Sequence, residues 1–212
     1  MYQARIFNGK VIKSFMSPWS LKWLISLPTL VFYPYSINPK TRFFREVNFF
    51  TEWSKKKHPV IKVPKILGMD YSRLIIVREY IKGRTAYDIG LDGFLPLFEA
   101  LAFIHNEGWV LGDTKPSNFL LDDKNHVFVI DAEQAIRSNN VEFMAWDLAI
   151  LLLVTNVYAT ITGNLFDFEP HNILDEYLKI NPNNSVARFA FRYFERMRPL
   201  KEVIRKYLAA EL

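Results

Sequence analysis

Gly112-Asp113-Thr114-Lys115-Pro116-Ser117-Asn118, followed by Val127-Phe128-Val129-Ile130-Asp131, is the stretch on which the reading of this chain turns. It places two carboxylates, an ammonium and a carboxamide in a loop and the strands beside it. An amphipathic helix precedes it from Phe94 to His105, with Phe94, Leu97, Phe98, Leu101 and Ile104 at helical spacing. Two short strands follow, Phe119 to Leu121 and Val127 to Ile130, separated by the polar turn Asp122 to Asn125. A loop held between a helix and a hairpin lets these side chains converge on one point. Phosphoryl transfer needs that set: a carboxylate for the attacking hydroxyl, oxygen ligands for magnesium, and a cation near the migrating group. Taken alone, Asp113 and Asn118 would merely cap a turn; the agreement with the flanking elements is what makes the signal specific.

Outward from the loop, the chain begins with two expected strands, Gln3 to Phe7 and Lys10 to Phe15, joined at Asn8-Gly9. The aromatic stretch from Pro18 to Pro39 is broken by Pro18, Pro28, Pro34 and Pro39 into pieces too short to span a bilayer. Its Trp19, Trp23, Phe32, Tyr33 and Tyr35 suit either a membrane interface or packing against the small lobe or a partner. A helix is expected from Thr41 to about Lys57, with Phe43, Val47 and Phe50 on one face. Strand signals then run from Val60 to Val63 and from Leu74 to Val77, with a turn near Gly68-Met69-Asp70. Glu142 to about Thr160 reads as a buried helix, short of membrane-spanning length, and the chain from Asp167 reads as mostly helix. A strand-rich first third followed by a helix-rich remainder predicts an α+β chain of two lobes.

With 212 residues, half of them hydrophobic, 16% aromatic and 23% charged, the chain can bury one substantial core, which excludes disorder. The absence of cysteine excludes a disulfide framework, a thiolate metal site and a cysteine nucleophile, and it fits a reducing compartment. The four histidines lack metal-ligand spacing. The start, MYQARIFNGK, has no apolar segment of the secretory kind, so the expected location is cytoplasmic. The net charge of +5 is carried by the C-terminal segment that holds Arg188, Arg192, Arg196, Arg198, Lys201, Arg205 and Lys206. Such a segment is either a solvated face or a surface for nucleic acid, an acidic protein or anionic lipid.

The loop and its strands resemble the protein-kinase-like superfamily. Asp113 to Asn118 is similar to the catalytic loop, and Asp131 to the metal-binding aspartate that opens the DFG motif. Leu74 to Gly83 resembles the last small-lobe strand and hinge, and Val11-Ile12-Lys13 the end of the VAIK strand. Arg45-Glu46 sits where the helix glutamate that pairs with that lysine is expected. Asp147 resembles the buried aspartate that supports the catalytic loop from below. Only 16 residues lead from Asp131 to Asp147, which leaves no room for a long activation segment with an APE motif. The chain is therefore most similar to the small atypical branch: the RIO kinases, the small kinase of the KEOPS tRNA-modification complex, and sugar or lipopolysaccharide kinases. Ile130-Asp131-Ala132-Glu133-Gln134-Ala135 is closer to the RIO-type pattern than to DFG, and Gly112 stands where many kinases carry an arginine.

This resemblance implies a two-lobed protein-kinase-like fold: a reduced, β-rich N-lobe over residues 1–82, with an aromatic insertion at 16–40, and a helical C-lobe over 83–212. It implies transfer of the γ-phosphoryl group of ATP to a hydroxyl, on a protein serine or threonine or on a small or lipid-linked molecule. Lys13, positioned by Glu46, would hold the α- and β-phosphates, and Asn118 and Asp131 would bind Mg2+. Asp113 would orient or deprotonate the acceptor, Lys115 would stabilise the moving phosphoryl oxygens, and adenine would lie against the backbone of Glu79 and Ile81. Likeness to the RIO and KEOPS relatives also implies an RNA or ribonucleoprotein contact through the basic C-terminus, and residues 18–35 offer a peripheral contact with the inner face of a membrane. Against catalysis stand the absence of any G-x-G-x-x-G, the twelve residues that precede Lys13, and Leu111 in place of the catalytic-loop histidine. Arg78, just before the hinge, falls at a normally apolar position within reach of Glu46 or Asp131, where it would support a carboxylate or block adenine. These departures leave open a pseudokinase, a binding or scaffold module without efficient turnover. Lys13 as a surface lysine on an edge strand, and Glu46 as an exposed helix residue, are the plain alternatives.

Overall fold

The structure is a computed structural model that describes residues 4–16, 32–124, 126–163 and 170–197. Most of the aromatic stretch, with Trp19 and Trp23, lies outside the described residues, as do Arg198, Lys201, Arg205 and Lys206. At the start of the described chain, Asn8 and Gly9 take φ of 47° and 68°. This is the two-residue turn that an Asn-Gly pair favours, because it matches the right-handed twist of the flanking strands. It folds β1 (Ala4–Phe7) onto β2 (Lys10–Ser14), in which Val11 and Lys13 turn inward while Lys10 and Ile12 turn outward.

Helix α1 (Pro39–Lys56) opens with the Asn38 side chain accepting from the Lys40 and Thr41 amides, Pro39 in the first turn, and Lys55 and Lys56 in the last. It packs Phe43 and Val47 with Phe15 and Ile76 beneath the small sheet, and sends Phe49, Phe50 and Trp53 into the main core. The helix thereby ties the two lobes together. After β3 (Ile61–Lys62) come β4 (Ile66–Asp70) and β5 (Ile75–Glu79), which complete a four-stranded antiparallel sheet in the order β1-β2-β5-β4. The turn expected at Gly68-Met69-Asp70 is strand instead. Gly68 marks a bulge in the β4–β5 ladder, and the chain reverses only after Asp70, whose carboxylate accepts from the Ser72 and Arg73 amides.

The second lobe begins with the short α2 (Ala86–Ile89), capped reciprocally by Thr85 and Asp88, and with α3 (Leu95–Asn106). β6 (Trp109–Val110) leads into the loop, and a 3-10 turn at Pro116–Asn118 leads out of it into the hairpin β7 (Phe119–Leu121) and β8 (Val127–Val129). β3 runs parallel to β8 and extends this hairpin, and β9 (Ile136–Arg137) pairs with β6. Helix α4 (Val141–Ile161), with α5 (Pro170–Ile180) and α6 (Asn184–Met197), builds the rest of the core. At 21 residues α4 is long and apolar enough to cross a bilayer, longer than the sequence suggested, yet 78% of its most apolar window is buried inside the protein. The whole is α+β and two-lobed, a small sheet over a helical lobe. On α6 the described part of the basic segment, Arg188, Arg192 and Arg196, forms an exposed stripe.

Candidate active site

Three elements that lie far apart in the chain deliver charge to one buried point. Lys13 projects from the inner face of β2, Glu46 from the inward face of α1, and Asp131 from the second residue beyond β8. The Lys13 ammonium donates to Glu46 Oε2 at 2.6 Å and to Asp131 Oδ1 at 2.9 Å. Lys13 is neither a surface residue nor on an edge, since β5 covers the outer side of β2, and Glu46 is fully buried. The Glu46 carboxylate also accepts the Ala132 amide at 3.3 Å, which ties α1 to the backbone just beyond Asp131.

Two charged residues that the sequence reading left out belong to this cluster. Glu133 lies 3.5 Å from the Lys13 ammonium and 3.0 Å from Arg42 Nη1, and the other end of the Arg42 guanidinium donates to the Phe15 carbonyl at 3.0 Å. The signal was available. Arg42 and Glu46 stand four apart on α1, interleaved with Phe43, Val47 and Phe50, so the periodicity that buries the phenylalanines carries both charges inward. Burial works to lower the Lys13 pKa, but the negative charges of Asp131, Glu133 and Glu46 outweigh it and hold the ammonium protonated. Burial pushes the Glu46 carboxyl up to about 7, with the Asp131 charge adding to it and Lys13 pulling the other way.

The loop residues are held differently. Asn118, almost wholly buried in the 3-10 turn, donates its side-chain amide to the Asp113 backbone carbonyl at 2.8 Å, while its backbone carbonyl accepts the Ile130 amide at 2.9 Å. The first bond sets the direction of the carboxamide, and the second seats Asn118 across the hairpin from the residue before Asp131. Asp113 and Lys115 are half-buried, and Lys115 heads the 3-10 turn. Glu79 ends β5 with its amide donating to the Lys65 carbonyl, and Tyr80 donates to the Gly9 carbonyl, so this end of the sheet is pinned on both sides. Ile81 follows in irregular chain.

Beneath the loop, fully buried Asp147 accepts the Leu111 and Gly112 amides, each at 2.6 Å, and lies 3.3 Å from His105 Nε2. His105 in turn meets the Tyr177 hydroxyl at 2.7 Å. From the side, the Tyr35 hydroxyl donates to the Gly112 carbonyl at 2.6 Å and accepts from Trp146 Nε1 at 2.8 Å, and the Tyr33 hydroxyl donates to the Gln134 carbonyl at 2.7 Å. Gly112 sits at φ 76°, and a Cβ there would lie 2.3 Å from the Tyr33 ring, so only glycine fits. The Gln134 side chain closes the arrangement, bonded to Ser36 and to Arg45 at 3.0 Å. This part of the aromatic insertion therefore packs against the loop of the second lobe, an outcome that the local pattern of Tyr33 and Tyr35 could not indicate.

No protein-family model and no curated protein matches the chain. Among solved structures, that of the bifunctional kinase-methyltransferase WbdD is similar at 13% identity, with a TM-score of 0.47 over 84% of this chain. The chain spans 42% of the length of that structure.

Proposed function

We propose that the chain is a small phosphotransferase of the kinase type, moving the γ-phosphoryl group of a magnesium-bound purine nucleoside triphosphate to a hydroxyl acceptor. The observation that supports this most is the buried contact of Lys13 with both Glu46 and Asp131, beside a loop that carries Asp113, Lys115 and Asn118. A protonated lysine held by carboxylates from two other elements is positioned to receive phosphate oxygens. Magnesium suits the donors. Asp131 keeps 22% of its side chain exposed, Asn118 offers a carboxamide oxygen, and the ion is usually held by one or two carboxylates together with substrate phosphates. Among the described residues no cluster of three or more histidine or acidic side chains offers an all-protein cage. When bound, the ion would neutralise charge on the phosphate oxygens.

In the transfer itself a bond forms between the acceptor oxygen and the γ-phosphorus as the bond from that phosphorus to the departing nucleoside diphosphate breaks. Asp113 takes the hydroxyl proton, and Lys115 stabilises the moving oxygens. The test is label transfer from nucleoside triphosphate in the presence of magnesium and candidate hydroxyl acceptors. Asp113→Asn and Asp131→Asn are each expected to lower turnover by about a hundredfold or more. Turnover that survives both changes overturns the reading.

One observation favours a second reading, a nucleotide-binding or scaffold module. The β1–β2 connection is a two-residue turn, and no glycine-rich lid over a phosphate occurs among the described residues. Melting curves with nucleotide and magnesium bear on both readings, because a ligand that binds only the folded state raises its melting temperature. Binding without turnover supports the scaffold.

A further inference from the structure

Arg78 is a buried cation with no partner. It is 7% exposed, its Nε has no hydrogen-bond acceptor, and its side chain makes no hydrogen bond or ion pair among the described residues. Its contacts are the Phe50 ring, 6.0 Å from the guanidinium carbon, and the long-range pull it exerts on Glu46, whose Oε1 is likewise without a partner. A guanidinium has five donors, no acceptor capacity and no means of shedding its proton, and here the buried Nε donor goes unbonded, which is costly. Such a group marks a place where acceptors are supplied from outside the chain.

The sheet register says where that place is. Ile76 and Arg78 share the buried face of β5, opposite Lys13 and Val11 respectively on β2. Arg78 is thus two residues along the same inner face from the lysine, about 7 Å towards the end of the strand at Glu79. With the phosphates at Lys13 and Asp131, a base laid along the inner face of the sheet towards its Glu79 end meets Arg78.

We infer that Arg78 selects the base, favouring a purine that carries oxygen at position 6, guanine or hypoxanthine, over adenine. The inference rests on the nucleotide reading given above. Guanine and hypoxanthine present O6 and N7 as two acceptors on one edge, which a guanidinium meets with two parallel donors. Adenine presents N7 beside a 6-amino group, so one donor of Arg78 would face another donor. The neighbours Val11, Ile76 and Phe50 offer no acceptor in their side chains, and Glu46, which feels the charge of Arg78, makes no hydrogen bond with it.

The experiment is isothermal titration of the full chain with the magnesium complexes of GTP, ITP and ATP. GTP and ITP are expected to bind at least about tenfold more tightly than ATP, the discrimination typical of one bidentate pair. Arg78→Met is expected to bring GTP and ATP within about threefold of each other, and Arg78→Lys to retain part of the preference. Because the comparison of the three nucleotides needs only the unaltered protein, it stands even where a variant fails to fold. Equal binding of ATP and GTP, or tighter binding of ATP, overturns the inference and leaves the phosphotransferase reading intact. Binding of none of the three overturns both.

Discussion

The ionic cluster around Lys13 and the hydrogen-bonded cluster around Asp147 are both largely buried, yet they satisfy their polar groups in opposite ways. Around Lys13, two cations meet three carboxylates from three segments of chain, with Arg78 close by as a third cation. Each charge is balanced by another side chain, so each can be redirected when a ligand brings new charge. Around Asp147, one carboxylate is met by two backbone amides and a histidine, and the neighbouring bonds come from tyrosine hydroxyls, an indole and a threonine. Backbone donors cannot swing away. Burial raises the pKa of Tyr33 and of Tyr35, so their hydroxyls stay protonated as donors across the ordinary pH range. The lesson is a division of labour: the Asp147 cluster fixes the shape of the loop, and the Lys13 cluster holds charge in readiness for a ligand.

The largest expected effect breaks the rigid side. Asp147→Ala strands two buried amides and is expected to cost roughly 4 kcal/mol, at about 1–3 kcal/mol for each unsatisfied group. Urea denaturation reads this directly, and a loss below 1 kcal/mol would mean the loop is not held from below. On the ionic side, Glu133→Leu alone is expected to cost about 3–5 kcal/mol because Arg42 and Lys13 both lose a buried carboxylate. The double variant Arg42→Met with Glu133→Leu should recover most of that loss, as apolar replacement of both members of a buried pair often does. Failure to recover would show that these residues are coupled to more than each other.

A smaller effect separates the clusters by pH. The Glu46 carboxyl is raised from its ordinary 4.5 to about 7 by burial, aided by Asp131 and opposed by Lys13. A carboxyl whose folded value lies above its unfolded value stabilises the fold in its neutral form. Its contribution is whole below pH 4.5 and is lost as pH rises through about 7. Relative to Glu46→Gln, the unaltered protein should lose on the order of 2 kcal/mol between pH 5 and 8, at about 1.4 kcal/mol per unit of displacement. Melting curves of both proteins across that range check it, and parallel curves would contradict it. The smallest effect lies outside both clusters. The exposed pair of Lys179 and Glu176 on α5 should contribute at most about 0.5 kcal/mol, so Lys179→Ala leaves the denaturation midpoint nearly unmoved.

Much of this arrangement was legible in the chain itself where the signal was local. Asn8-Gly9 specified its turn through positive φ, and the period of Phe43, Val47 and Phe50 marked α1, whereas Lys13 and Glu46 were placed by the family resemblance, with a surface lysine and an exposed glutamate as the alternatives. Other features were illegible because their cause lay elsewhere in the molecule. Gly68 has the composition of a turn, but the ladder to β5 makes it strand. Ile61 and Lys62 look like part of the first sheet, but they pair with β8 across the lobes. Glu133, Tyr33 and Tyr35 are residue types more often found with access to water, and only their partners explain their burial.

What the sequence determined by itself is the alternation of elements, the sign of the charge each presents inward, and the spacing of the loop residues, because propensity and periodicity act over a few residues. What only the tertiary structure decided is which charges meet. Lys13 and Asp131 are 118 residues apart, and Arg42 and Glu133 are 91 apart. Ion pairs of that separation form when the packing of whole helices and sheets brings them within hydrogen-bonding distance and removes the water that would otherwise have screened them.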